Sequence, residues 1–280
     1  MSCPIEPTDF IRIQLRETDS TINALSELLK ESNLFMPASK EGLSTNIPEF
    51  FTLTAQYQLS GRGQRGNTWE SEAGKNLLFS TLVYPTFLKV EEQFLLSEII
   101  SLAIKDTLDK IAPQEEFSIK WPNDIYWKEK KIAGILIEND LESYEEPETH
   151  QRISRISNSI FGVGLNANQS NFRSNAPNPY SLLQITGKEF NTDQILSKII
   201  TRLRYYYKEL QKNEKAISEI RKAYHQALFR SNGLHLYKEA DSSEEFLAEI
   251  VRVEASGQLL LRREDGIEKG YFFKEVQHLL

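Results

Sequence analysis

The N-terminal part of the chain alternates between the apolar spacing of strands and that of helices. Ile11, Ile13 and Leu15 alternate with polar residues, which predicts a half-buried strand. In TDSTINALSELLKES, Ile22 and Leu25 fall on one helical face, and N-cap oxygens precede them. Further along, the pattern predicts strands in FFTLTAQYQ and LLFSTLVYP and an amphipathic helix from Lys89 to about Ala112, with Leu95, Ile99, Leu102 and Leu108 on or near one face.

The rest of the chain is predicted to contain more strands, then helices, then a second group of short strands. FSIKWPND is a strand that ends in a turn, and IYWKEKKIAGILIEN is a hairpin whose second strand is nearly all apolar. The acidic stretch LESYEEPETHQR is predicted to be a solvated hairpin loop, and ISNSIFGVGLNAN returns as a strand. Two helices follow, TDQILSKIITRLRYYYKELQ and EKAISEIRKAYHQALF, and then the strands LHLYKE, EFLAEIVRVEA, GQLLLRRED and GIEKGYFF.

This change of pattern predicts two domains, residues 1–230 and a small β-barrel at 231–280. The net charge of −7 argues against a general nucleic-acid or anionic-membrane partner, because phosphate binding needs a basic face. No apolar run approaches the ~18 residues of a membrane span, and no signal peptide is recognisable at the N-terminus. We therefore expect a cytoplasmic protein. Cys3 is the only cysteine and the four histidines are far apart, so a metal site built on His or Cys is not expected.

GRGQRG at 61–66 matches the glycine spacing of a dinucleotide-binding loop, but a helix must follow that loop and here a strand follows. We therefore reject the dinucleotide interpretation. The glycines instead predict a flexible loop, and Arg62 and Arg65 give it fixed positive charge that can wrap an anion. A solvent-exposed hairpin loop with incidental arginines is the alternative.

Lys131 enters the apolar strand KIAGILIE, where a charge is costly unless it meets a partner such as a ligand carboxylate or phosphate. The alternative is that Lys131 is simply the polar end of a hairpin. Gly134 allows a ligand to approach the backbone closely, or marks a bulge.

FGVGLNAN supplies two glycines on one side of a strand. Gly162 and Gly164 leave a groove where side chains would otherwise stand, and Asn166 offers a donor and an acceptor at its end. The alternative is that these glycines permit tight packing and that Asn166 only starts a loop.

Four motifs occur in order: DST, QxxGRGxRGxxW, KWPND-(x)6-KIAG-IL-E and GxGLN. Together they resemble the biotin–protein ligase family over residues 10 to 280. The resemblance implies an α+β fold with a mixed, mostly antiparallel sheet flanked by helices, related to class II aminoacyl-tRNA synthetases, and a small C-terminal SH3-like β-barrel. It also implies a ligase that converts biotin and ATP to biotinyl-5′-AMP and pyrophosphate. That enzyme then transfers biotin to a lysine of a biotin carboxyl carrier domain.

The resemblance also implies roles for individual residues. Arg62 and Lys131 are the implied catalytic cations, bracketing the biotin carboxylate and the phosphate. The implied biotin-binding residues are Ser20, Thr21, Gln58, Arg62, Gly63, Gln64, Lys131, Gly134 and Gly164. The residues implied for ATP or the adenylate are Arg62, Arg65, Trp69, Asn123, Asp124, Lys131 and Asn166.

The chain departs from the family pattern at two positions. Ile22 follows Ser-Thr where the family usually has Asn, so Asn23 comes one position late. Gln64 stands where the family often has Arg, which puts retention of the adenylate in doubt. Magnesium is expected to accompany ATP, with Asp124 or Glu138 as undecided ligands, and no tightly bound prosthetic group is expected.

The expected partners are biotin, ATP and a carrier protein, and a homodimer stays open. Because the first predicted strand starts by about Phe10, we expect no winged-helix module and no repressor activity. Two other functions stay open. A lipoate–protein ligase shares the fold and the acyl-adenylate chemistry, and a non-catalytic biotin sensor would bind without transfer.

Overall fold

The computed structural model describes residues 10–34, 47–145, 152–173, 178–242 and 244–279. The helices are α1 (Thr21–Leu34), α2 (Phe94–Ile111), α3 (Leu182–Thr186), α4 (Thr192–Leu210) and α5 (Glu214–Gln226). The first strands are β1 (Arg12–Thr18), β2 (Thr52–Gln58), β3 (Leu77–Val83), β4 (Phe117–Lys120), β5 (Asp124–Trp127), β6 (Lys130–Glu145) and β7 (Arg152–Leu165). The remaining strands are β8 (His235–Glu239), β9 (Glu245–Val253), β10 (Leu259–Arg263), β11 (Glu268–Tyr271) and β12 (Val276–His278).

The larger sheet has seven strands in the order β1-β2-β3-β7-β6-β5-β4. Only β1 and β2 pair in parallel, and all the other neighbours are antiparallel. This mixed, mostly antiparallel sheet flanked by helices confirms the predicted α+β fold class. It also places the KIAG strand β6 beside the glycine-containing strand β7, with Gly134 directly opposite Gly164.

Helices cover both faces of this sheet, because successive side chains of β3 point to opposite sides. Phe79 and Val83 pack in one apolar cluster with α2 and α4, whereas Leu82 packs in a second cluster with Ile22 and Leu25 of α1. The predicted apolar positions of the second helix are all buried: Leu95, Ile99, Leu102 and Leu108.

The smaller sheet is antiparallel, with five strands in the order β11-β10-β9-β8-β12. It fits the predicted SH3-like domain. The indole nitrogen of Trp121, just after β4, donates to the Gly257 carbonyl oxygen at 3.0 Å, and the Trp121 ring packs edge-on against Phe273. This sheet therefore lies against the end of β4, where the site described below begins.

Two local expectations need correction, and two short elements were not predicted. The predicted apolar face of the first strand is wrong at Ile11 and Ile13, which are 59% and 42% exposed, because β1 is the edge strand of the sheet. The acidic stretch is not only a loop, since β6 continues to Glu145 and β7 starts at Arg152, while residues 146–151 lie outside the described part. The structure also contains the short elements α3 and β12, which the sequence analysis did not predict. Among the described residues, no helix is both long and apolar enough to cross a membrane.

Candidate functional site

A cavity of about 80 Å³ lies where the start of α1, the 61–69 loop and the middle of β6 and β7 meet. It gathers most of the side chains and glycines that the sequence analysis singled out: Ser20, Thr21, Gln58, Arg62, Gly63, Gln64, Trp69, Asn123, Asp124, Lys131, Gly134 and Gly164. It is also lined by residues that the sequence analysis did not assign to binding: Ile22, Asn67, Thr68, Ile135, Leu136, Gly162, Val163 and Phe273.

The loop at 61–66 does not lead into the helix of a dinucleotide site. Residues Gln64–Gly66 form one 3-10 turn, and Arg62 pairs with Thr68 in an isolated antiparallel bridge. The next regular element is the strand β3. The rejection of the dinucleotide interpretation is thereby confirmed.

The polar end of the cavity is built by the first residues of α1 and the last residue of β2. Ser20 and Thr21 are 2% and 3% exposed. The Gln58 side-chain oxygen accepts from the Thr21 backbone N–H at 2.8 Å, and the Thr21 hydroxyl accepts from Ser80 at 2.9 Å. Gln58 therefore satisfies one of the free amides at the start of α1 while its side chain lines the cavity.

Lys131 is held by strand geometry and by one carboxylate. Its ammonium lies 2.7 Å from Asp124 Oδ1 and 5.7 Å from the centre of the Trp69 ring. Its backbone is fixed as well, because the Lys131 N–H donates to Asn178 and its carbonyl accepts from Tyr180. The cation is thus presented to the cavity on a rigid strand, beside a carboxylate that a ligand anion must replace or share.

Arg62 reaches the same cavity from the loop but is held at the rim by other groups. Its guanidinium lies 2.9 Å from Glu138 Oε1 and donates to Asn23 Oδ1 at 2.5 Å. Asn23 in turn donates to Asp19 at 2.7 Å, and this hydrogen bond is the main reason that the pKa of Asp19 lies below its ordinary value. Neither Glu138 nor Asn23 lines the cavity. Asn23, which stands one position after the family's usual Asn, therefore contacts Arg62. Ile22, at the usual position, faces the cavity and Gly162.

Trp69 occupies the groove that the glycines create. A Cβ atom on Gly164 would lie 2.3 Å from Trp69 Cε2, and one on Gly134 would lie 3.0 Å from its Cζ3. The indole nitrogen is buried and has no hydrogen-bond partner in the described part of the chain. The glycines therefore leave space beside the strands, and the Trp69 ring occupies that space.

Three predicted nucleotide-binding residues differ in placement. Asn123 lines the cavity, is 6% exposed and donates its side-chain amide to the Ile135 carbonyl. Asn166 does not line it: its side chain is 2% exposed and donates to the Tyr180 carbonyl at 3.1 Å. The side chain of Arg65 lies outside the described part, so its predicted contact, like that of Asn166 with adenine, stays a prediction.

The carboxylates near the cavity are already engaged. Asp124 pairs with Lys131 and Glu138 pairs with Arg62. The described residues contain no group of three or more His, Cys, Asp or Glu side chains able to hold a metal ion.

Phe273 is the lining residue that sequence reasoning had least chance to find. It follows β11 in the C-terminal sheet, more than a hundred residues after the other lining positions. Its ring packs against Trp121, and this contact between the two sheets lies beside the cavity. The other missed residues neighbour the quoted motifs, and the motif spacing is the signal that points to them.

Comparison with known proteins shows that this chain is similar to one family of ligases. A sequence profile of the biotin/lipoate A/B protein ligase family matches residues 37–152. The bifunctional ligase/repressor BirA of Escherichia coli K12 is 38% identical over 88 residues, which cover 30% of this chain and 26% of that protein. BirA of Bacillus subtilis 168 is 24% identical over 240 residues, which cover 81% of this chain and 66% of that protein. The chain thus spans less than two thirds of these relatives' length.

A solved structure agrees over nearly the whole chain. The biotin protein ligase of Aquifex aeolicus, in complex with biotin and ATP, superposes with a TM-score of 0.71 at 25% identity. The match covers 96% of this chain and 99% of that one. Fold, cavity and motif order therefore agree: the chain resembles the biotin–protein ligases of the biotin/lipoate A/B protein ligase family.

Proposed function

We propose that this protein activates biotin with ATP and transfers the biotinyl group to a lysine of a carrier protein. The observation that carries the proposal is that Arg62 and Lys131, from a loop and from a strand, line one cavity. The hydroxyls of Ser20 and Thr21 and the Gln58 amide line the same cavity. Two cations and several neutral polar groups that line the same cavity suit a ligand with a carboxylate tail and a ureido head.

In the first step, a carboxylate oxygen of biotin attacks the α-phosphorus of ATP. A phosphorus–oxygen bond forms, the bond to the β-phosphate oxygen breaks, and pyrophosphate leaves with the electron pair. Lys131 and Arg62 lower the repulsion between the two anions and stabilise the charge that develops on the phosphate, each contributing about 3–4 kcal/mol. Each cation must then exchange its protein carboxylate, Asp124 or Glu138, for a ligand oxygen. Magnesium enters with ATP as part of the substrate.

In the second step, the neutral amine of the carrier lysine attacks the acyl carbon of biotinyl-5′-AMP. An amide bond forms, the bond from the acyl carbon to the anhydride oxygen breaks, AMP leaves with that electron pair, and the amine loses one proton to solvent. Asp124 and Asn123 line the cavity together with Lys131. We assign these two polar side chains to the part of the site where the carrier lysine meets the adenylate.

The cavity must enlarge before both substrates fit. Its 80 Å³ is well below the roughly 300–1,000 Å³ of ordinary ligand pockets. The Trp69 indole, lying on Gly164, is the largest group inside it. We therefore assign the opening to a movement of the 61–69 loop, in which the ligand takes the place next to the glycines.

The decisive experiment pairs two assays on the purified protein. Biotin-dependent exchange of labelled pyrophosphate into ATP tests the first step, and lipoate in place of biotin is the matched control. A mass increase on an apo carrier domain, absent when its acceptor lysine is replaced by alanine, tests the second. Exchange with lipoate alone would make the protein a lipoate ligase, and binding of biotin without exchange would make it a sensor.

A further inference from the structure

Three charged side chains lie on neighbouring strands at one end of the large sheet. Lys120 on β4 stands directly opposite Asp124 on β5, and Lys131 on β6 stands opposite Tyr126 on β5. Asp124 and Tyr126 are two positions apart, so they point to the same face. Asp124 is therefore flanked by a lysine on each side, although it pairs at 2.7 Å only with Lys131.

Lys120 lies outside the proposed biotin cavity. It lines a second cavity of about 420 Å³, which shares Asp124 and Phe273 with the first. Its ammonium donates to the Tyr126 hydroxyl at 3.2 Å and lies 4.8 Å from the centre of that ring. Within the described residues, no carboxylate lies within 4.0 Å of it. Lys120 is thus a half-buried cation next to Asp124. It does not line the proposed biotin cavity, and within the described residues no carboxylate is in direct contact with its ammonium.

The charges around Lys120 explain why its position matters. Burial lowers the pKa of Lys120, the negative charge of Asp124 opposes that shift, and the positive charges of Lys131 and Arg230 add to it. When Lys131 turns to a ligand anion, Asp124 loses its contact partner in a half-buried place. A second cation within reach of Asp124 lowers the free energy of that state, because an unpaired buried carboxylate is costly.

We propose that Lys120 is a positioning residue that balances the charge of Asp124, so that Lys131 is free to engage the anionic substrates. This inference rests on the proposed function. Lys120 contacts neither substrate and acts through Asp124. Without Lys120, Asp124 attracts Lys131 alone and holds it away from the ligand.

The test is a double-mutant cycle in the pyrophosphate exchange assay. Lys120→Met is expected to lower kcat/KM for biotin about tenfold, as expected for one charge lost from a half-buried site. In an Asp124→Asn background the same replacement is expected to change kcat/KM by less than about twofold, because the charge it balances is gone. An equal loss in both backgrounds would overturn the proposal.

Two further variants separate charge from structure. Lys120→Arg keeps the cation and is expected to recover most of the activity lost in Lys120→Met. Lys130→Met removes an exposed charge from the same hairpin, outside both cavities, and is expected to behave like the parent protein. Loss of activity in Lys120→Arg equal to that in Lys120→Met, with parental melting temperature, would contradict a role for the charge.

A ligand-free measurement keeps this inference distinct from the proposed function. The unfolding free energies of Lys120→Met, Asp124→Asn and the double variant form a second cycle. We expect non-additive effects, because the two side chains attract each other in the free protein. If the parent protein shows no biotin-dependent exchange, the proposed function fails. Additive unfolding free energies would instead overturn the coupling between Lys120 and Asp124.

Discussion

The two cations that line the cavity are held in different ways. Lys131 sits on the strand β6, and its backbone N–H and carbonyl are both hydrogen-bonded. The side chains of Lys131 and Asp124 are 27% and 24% exposed. Arg62 sits on a glycine-rich loop, and it and Glu138 expose 44% and 36%. The strand therefore fixes the position of the Lys131 cation, whereas the Arg62 cation lies on a loop and must move to contact a ligand in the cavity.

This difference suggests a division of labour. A cation on a rigid strand is already oriented when the substrates arrive, so its interaction is available in the transition state at little cost of reorganisation. A cation on a loop must lose conformational freedom first, but it can move aside to admit a ligand. Arg62 is held by Glu138 and Asn23, which lie at the rim of the cavity. We interpret this arrangement as the position of Arg62 before a ligand binds.

The largest expected effect is that of Lys131→Ala. We expect adenylate formation to fall by roughly 10³-fold, mainly in kcat, because a preset charge is lost next to the reacting phosphate. Biotin-dependent pyrophosphate exchange measures this, with Lys130→Ala as the matched control. Exchange near the parental rate would remove Lys131 from the mechanism.

Arg62→Ala is expected to have the next largest effect, roughly 10²-fold in kcat/KM for ATP, with a larger share in KM. Glu138→Gln is the companion variant, because it releases Arg62 from its rim partner without removing it. It is expected to stay within about threefold of the parent, since a half-exposed ion pair contributes little. If Glu138→Gln were as damaging as Arg62→Ala, the contact with Glu138 would belong to the active arrangement rather than to the resting one.

Gly164→Ala tests whether the position of Trp69, on the 61–69 loop, depends on the missing side chain at Gly164. The added methyl group would lie 2.3 Å from the Trp69 ring, so the indole must be displaced. We expect a loss of stability of about 1–3 kcal/mol together with a change in tryptophan fluorescence. Gly66→Ala is the control at a position where a Cβ meets no atom within 4 Å, although its positive φ adds backbone strain. Unchanged fluorescence in Gly164→Ala would show that Trp69 does not rest in the groove.

Glu98→Gln tests how the helix α2, which packs near the start of β5, contributes to the stability of the fold. Glu98 is 3% exposed on α2, next to Ser97, whose hydroxyl donates to the Pro122 carbonyl just before β5. Burial raises the pKa of Glu98 to about 8, with Arg221 opposing the shift. The unfolded chain therefore releases this proton more readily, and the stability of the fold falls as pH rises from about 4.5 through about 8.

In Glu98→Gln this part of the pH dependence is expected to disappear. The free energy of unfolding, measured by urea titration across that pH range, is the readout. The matched control is Glu116→Gln, an exposed carboxylate. Parallel pH profiles for the parent and Glu98→Gln would show that Glu98 is already ionised in the folded protein.

Local pattern was enough to predict much of the chain. The helical spacing of Leu95, Ile99 and Leu108 predicts a buried face, because one face of a helix must be covered. The absence of a helix after GRGQRG excludes a dinucleotide site, since that site needs a helix N-terminus. The order of the motifs indicates the resemblance to the biotin–protein ligases, and Arg62, Lys131 and Gln58, which these motifs contain, line one cavity.

What local pattern did not decide depends on distant neighbours. Ile11 and Ile13 have the spacing of a buried strand face, but β1 lies at the edge of the sheet and leaves them exposed. Phe273 lies far along the chain and lines the cavity where the two sheets pack, and Trp69 from another motif lies against Gly164. The sequence by itself determined which segments line the cavity. Only the tertiary structure decided which carboxylate holds each cation, because ion pairs such as Lys131 with Asp124 and Arg62 with Glu138 depend on strand register and loop path.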